Sequence, residues 1–171
     1  MKKTKKKKEY LKVMWISIIG LITLFAYLDT IGFKMWNLIG GYPGQPYALA
    51  GNLYGVLFWS FASLMIISVS IMFYYFRRDI SESLGIYVGT TIMLYGGLED
   101  IIYYFLQGGA TPLAFQWLFD NTYLGIIAKL LGETTLSWTT LLLQTFIAGL
   151  IVYFVLNILY KINFKMGKVR I

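Results

Sequence analysis

The chain has 171 residues, of which 58% are hydrophobic and only 13% charged. A soluble domain of that length needs roughly 25% charged residues to cover its surface, so the composition excludes an ordinary soluble enzyme and points to lipid as the solvent. Neither cysteine nor histidine is present, which excludes disulfides, thiolate and imidazole metal sites, and the commonest general base; no cofactor and no metal ion is expected. The net charge of +7 is clustered where apolar stretches begin and end. Lys2, Lys3 and Lys5–Lys8 precede the first stretch, Arg77 and Arg78 follow the second, and Lys161, Lys165, Lys168 and Arg170 follow the last. Clusters so placed set orientation and touch anionic headgroups; they do not form a nucleic-acid surface.

In chain order, a basic tail (1–10) leads into a four-helix transmembrane domain (11–160), and a second basic tail (161–171) follows. A hydrocarbon core takes about 20 helical residues to cross, and segments at about 11–33, 52–76, 83–106 and 136–160 satisfy this. The first resembles a signal peptide in having lysines before an apolar run. Its only cleavage-like sequence, Ala48-Leu49-Ala50, lies too far beyond that run. The expected fold is all-α and polytopic, a four-transmembrane-helix bundle. Gly40-Gly41-Tyr42-Pro43-Gly44-Gln45-Pro46 reads as a turn between the first two helices. Between Leu113 and Leu131 a fifth crossing would bury Asp120, Asn121 and Lys129 and export the C-terminal lysines. An interfacial helix on the outer face, with Trp117 and Tyr123 at headgroup depth, fits better.

Counting charge sets the sidedness. With both termini in the cytoplasm of a multi-pass cell-membrane protein, 13 basic and 3 acidic residues lie inside, against 2 basic and 5 acidic outside. The five outer acids are Asp29, Glu99, Asp100, Asp120 and Glu133.

Helix rise then predicts a layer. At about 1.5 Å per residue, Asp29 stands roughly 25 Å along the first helix from Lys12, and Glu99 and Asp100 roughly as far along the third from Ser83. The fourth helix enters at that depth with Trp138, Thr139, Thr140 and Gln144. On an unbroken third helix Gly85, Gly89, Gly96, Glu99 and Tyr103 share one narrow face, and small residues there let a neighbour approach. Glu99 is therefore expected inside the bundle, with Tyr95 and Tyr103 one turn away as partners. Three readings of the carboxyls stay open: anchoring of helix ends, acid–base chemistry between adjacent carboxyls, or a hard cation held by oxygen. Trp15, Trp36, Trp59, Trp117 and Trp138 read first as anchors at the membrane interfaces, with Trp36, Trp117 and Trp138 alternatively walling a pocket near the acids, and Ser60, Ser63, Ser68 and Ser70 are expected to bond between helices.

The stretch Gly97-Leu98-Glu99-Asp100-Ile101-Ile102-Tyr103-Tyr104-Phe105 resembles the Pro-Leu-Glu-Glu-x-x-Phe-Phe signature of the membrane-bound carotenoid (lycopene) cyclase domains. Gly97 stands for the proline, Asp100 for the second glutamate, and Tyr103 and Tyr104 for the phenylalanines. That resemblance implies an acid pair, Glu99 and Asp100, that protonates an isoprenoid double bond. The helix count, the length and the acid late in the first helix resemble the sterol-isomerase and emopamil-binding superfamily, although the second helix here carries no acid.

These readings converge on an expectation. The chain binds, or transforms by acid–base chemistry, an isoprenoid- or lipid-like ligand in an outer-leaflet pocket, with Glu99, Asp100 and Asp29 as the catalytic carboxyls. Tyr95, Tyr103, Trp117, Trp138 and Gln144 are the expected ligand contacts. The alternatives are an accessory or assembly subunit of a membrane complex, or a homo-oligomer, and below these a small proton or cation transporter.

Overall fold

A computed structural model describes the backbone of residues 2–38, 48–108, 119–120 and 123–166, and the side chains of 6–32, 57–108, 119–120 and 124–162. The turn expected from Gly40 to Pro46, and Trp117, lie outside the described residues, as do the side chains of Trp36 and Tyr123. Six helices are bounded among the described residues: α1 (Lys2–Leu38), α2 (Ala48–Arg77), α3 (Ile80–Tyr95), α4 (Leu98–Leu106), α5 (Tyr123–Leu130) and α6 (Trp138–Met166). Three of them, over Lys6–Gly32, Leu57–Arg77 and Trp138–Ile162, are long and apolar enough to cross a membrane.

The third expected crossing is not one helix. It divides at Gly96-Gly97 into a 16-residue and a 9-residue piece, and each glycine has its own reason to be there. Gly96 ends α3 and lies so close to the methyl of Ala148 on α6 that a Cβ would overlap it. Gly97 adopts φ 84°, the left-handed region that glycine enters without penalty. A Cβ on it would stand 2.6 Å from Leu141 Cδ1. The carbonyl that the break frees on Gly96 is taken up by Thr145, whose Oγ1 donates to it at 2.7 Å. The neighbouring helix thus satisfies the backbone group that the break frees.

α3 is the centre of the assembly, packed most extensively on α6 and also on α2 and α1. Its small-residue face does the work: Gly85 lies against Leu156, Met14 and Tyr10, and Gly89 against Ile18 and Val152. One buried cluster (Met14, Ile18, Ile22, Ile86, Met93, Val152, Leu156) joins α1, α3 and α6. A second (Phe25, Ala62, Ile66, Leu94) joins α1, α2 and α3. A third (Tyr104, Phe119, Leu124, Ala128, Leu136, Leu141) seats α5 on α4 and α6.

At the basic end the ring of Tyr10 meets that of Tyr160 at 5.3 Å, and its hydroxyl donates to the Ser81 carbonyl at 3.4 Å. α3 begins where Asp79 Oδ1 accepts from the backbone N–H of Ser81 at 2.9 Å and of Glu82 at 3.2 Å, an N-cap that the expected start at Ser83 overlooks. Arg77 pairs with Glu82 at 3.0 Å across the same turn. The α2 serines depart from expectation. Ser60, Ser63 and Ser68 face outward, while buried Ser70 donates to Ile66 O of its own helix and its carbonyl accepts from Ser83. Among the described residues α2 packs extensively on α3 alone, and the three outward serines lie off that contact.

Candidate functional site

Asp29 is carried on α1 one turn beyond buried Phe25, whereas Glu99 and Asp100 occupy the first turn of α4. α4 packs chiefly on α1, and this brings the three carboxyls together as electrostatic neighbours. The Gly96–Gly97 break makes this arrangement, because it gives the acids a helix N-terminus of their own, where negative charge is favoured. Glu99 is 8% exposed, and its Oε1 is buried with no hydrogen-bond partner among the described residues. A buried acceptor left unpaired costs about 1–3 kcal/mol, so the fold tolerates a penalty at this carboxyl. No group of three or more Asp or Glu among the described residues is arranged to hold a metal ion.

A recess of about 350 Å³ lies beside this cluster, lined by Ile101, Tyr104, Phe105, Gly108 and Trp138. The Tyr104 ring stands edge-on to Trp138, with centroids 6.3 Å apart and planes at 85°, and edge-on to Tyr103 at 5.2 Å. Around α4, Glu99 and Tyr103 project about half a turn away from Ile101 and Phe105. The recess and the buried carboxyl therefore occupy opposite faces of one helix, and Glu99 does not line the recess. Asp100 lies at the margin between them, one turn before Tyr104, and Tyr104 is an electrostatic neighbour of all three acids.

The other expected contacts fall in different places. Trp138 walls the recess. Tyr95 stays on α3, before the break; its half-exposed ring stacks on Trp59 of α2 at 5.1 Å. The turn-by-turn relation to Glu99 that an unbroken helix would give it is lost. Buried Gln144 donates from Nε2 to the Leu124 carbonyl at 3.4 Å and ties α6 to α5 instead of lining the recess.

Two residues stand out that sequence reasoning passed over. Tyr104 lines the recess one helical turn from Asp100; its meeting with Trp138 has no signal in the sequence, because it depends on α6 returning beside α4. Glu133 clasps the α5–α6 turn. Its Oε1 accepts from Thr140 Oγ1 and lies 3.2 Å from Ser137 Oγ, while Ser137 Oγ accepts from the Thr140 N–H at 3.1 Å and caps α6. The signals here were legible, a glycine (Gly132, φ 79°) just past α5 and a serine at the start of α6.

The chain matches no protein-family model, no curated protein and no solved structure. Its chemistry must be argued from its own residues. An apolar, aromatic-walled recess close to one buried and two half-buried carboxyls can hold an apolar molecule, and adjacent carboxyls in such a setting can share and exchange a proton.

Proposed function

We propose that this chain is a four-crossing membrane protein that holds an isoprenoid- or lipid-like ligand in the recess between α4 and the start of α6. On this reading α3 and α4 together make the third crossing, with Gly96-Gly97 as its internal break. Both termini are cytoplasmic, and α5 belongs to the outer interfacial segment, above the Asp29–Glu99–Asp100 layer. The observation that carries the reading is the recess itself, aromatic on two sides and placed where Tyr104 connects it to the carboxyls. Its volume lies at the lower end of the range of small-molecule sites. If the ligand is transformed as well as bound, Asp100 is the acid nearest to it and Glu99 with Asp29 are the reserve behind. Lipid extraction from the purified protein tests the reading. Wild type should carry one enriched apolar lipid and Trp138→Ala should lose it; a lipid profile equal to that of the surrounding membrane in both would refute it.

A second reading, an accessory subunit or a homo-oligomer, is favoured by α2. It is the least buried of the three membrane-length helices and turns Ser60, Ser63 and Ser68 outward with Leu64, Ile67 and Ile71. Hydroxyls on such a face bond well to a partner helix. Since the chain has no cysteine, a single Ser63→Cys variant reports directly. Crosslinking in membranes to itself or to another protein supports this reading, and a monomer that stays uncrosslinked and stable contradicts it.

A further inference from the structure

Just past the end of α2 the chain turns at Arg78, which holds φ 54°, the left-handed region that at a helix end normally falls to glycine. Its N–H donates to the Tyr74 carbonyl at 2.8 Å. The backbone alone makes this cap, and glycine would make it with less strain, so what the arginine adds is its side chain. The guanidinium lies over the Tyr75 ring, 4.8 Å from its centroid. All eight acidic side chains of the chain are among the described residues, and none of them pairs with Arg78, whereas Arg77 is paired with Glu82. Tyr75 also lines a groove of about 530 Å³ on α2, together with Ser68, Ile71, Met72 and Phe76. These five recur at helical spacing on the side of α2 away from Val69 and Phe73, which pack against the core. From Ser68 to Arg78 is about 15 Å of helix, half of a hydrocarbon core of about 30 Å. The groove thus has the depth of one leaflet, with a cation at that leaflet's surface.

We propose that this groove binds an anionic phospholipid. The phosphate accepts hydrogen bonds from the Arg78 guanidinium, whose planar fork of donors matches phosphate oxygens, and an acyl chain lies along Tyr75, Met72 and Ile71 as far as Ser68. A zwitterionic lipid would fill the groove equally well but would bring a cation of its own to Arg78. A second copy of the chain, entering the membrane in the same orientation, would set its own Arg78 at the same level, like charge against like. The inference needs α2 to cross a bilayer and is independent of the ligand reading above.

Since the chain has no cysteine, a bimane reporter on Ser68→Cys reads the groove alone. The full chain is placed in lipid nanodiscs of equal phosphatidylglycerol and phosphatidylcholine, with bromine on the acyl chains of one lipid at a time. Brominated phosphatidylglycerol should quench as though bound about fivefold more tightly than brominated phosphatidylcholine, the gain expected from one arginine beside an anionic headgroup. A reporter on Phe154→Cys, on the exposed face of α6, should be quenched equally by both. Arg78→Gly should erase the preference at Ser68→Cys while the unfolding midpoint stays equal or rises, because glycine relaxes the turn. Should that variant fail to fold, Arg78→Gln should erase the preference as well. Equal quenching by the two lipids at Ser68→Cys overturns the inference. The same preference at both reporters also overturns it, since the basic surface as a whole is then the cause, and so does a preference that survives the loss of Arg78. Quenching by neither lipid overturns it too, and crosslinking between unlabelled Ser68→Cys copies would then make the groove an interface between copies.

Discussion

The backbone of Gly96 lies directly against the methyl of Ala148, and Thr145 on the same face of α6 donates to the Gly96 carbonyl at 2.7 Å. This junction holds the break between α3 and α4 against α6 and so sets the direction in which α4 presents its acids. Gly96→Ala should destabilise the protein by about 1–3 kcal/mol, the usual cost of forcing a methyl into a filled interface. Ala148→Gly in the same chain should restore part of the loss. Unfolding by denaturing detergent, followed by helical circular dichroism, measures both. Gly96→Ala as stable as wild type would show that the close approach is not needed.

The turn between α2 and α3 separates a cap from an ion pair. Asp79→Ala removes the acceptor of two backbone N–H groups and should cost about 1 kcal/mol. Arg77→Gln should cost roughly 0–1 kcal/mol, because the guanidinium is 56% exposed and its pairing with Glu82 is screened. The same unfolding assay ranks the two; the reverse order would contradict this account of the turn.

The Glu133 clasp predicts a local effect. Glu133→Ala leaves Thr140 and Ser137 without their shared acceptor and should raise amide hydrogen exchange across 128–141. Glu133→Gln keeps an acceptor oxygen and should raise it less. Unchanged exchange in the alanine variant would remove the clasp from the account.

Much of the architecture was readable in advance, for reasons that particular residues make plain. Apolar length marked α1, α2 and α6, because a helix solvated by lipid is uniformly apolar over its whole span. Glycine spacing marked the face of α3 that α1 and α6 approach closely, since Gly85 and Gly89 can serve nothing else there. Helix rise put Asp29 level with Glu99 and Asp100, but the way α4 presents its two acids depends on the break at Gly96-Gly97. What stayed hidden was the meaning of two adjacent glycines. Gly96 in a packing stripe and Gly97 at a break look alike in sequence, and only the second carries a left-handed φ. That one torsion leaves Tyr95 stacked on Trp59 on the far side of the break from Glu99. The recess was equally hidden, because Tyr104 and Trp138 are 34 positions apart and meet only through the return of α6.

The proposed sidedness rests on charge, and the absence of cysteine makes it testable. A cysteine introduced at Thr4 should react in intact cells only after the membrane is permeabilised, whereas one at Thr134 should react at once. Immediate labelling at Thr4 would invert the proposed topology and move the carboxyl layer to the cytoplasmic leaflet.

Peptide-level mapping of a photoactivatable, diazirine-bearing isoprenoid, bound to the full chain in lipid nanodiscs, tests the ligand site most directly. The account predicts that adducts concentrate on Ile101–Gly108 and on Trp138 and vanish under excess unlabelled isoprenoid. Adducts spread along the outward face of α2, indifferent to competitor, would mean that the recess holds no ligand.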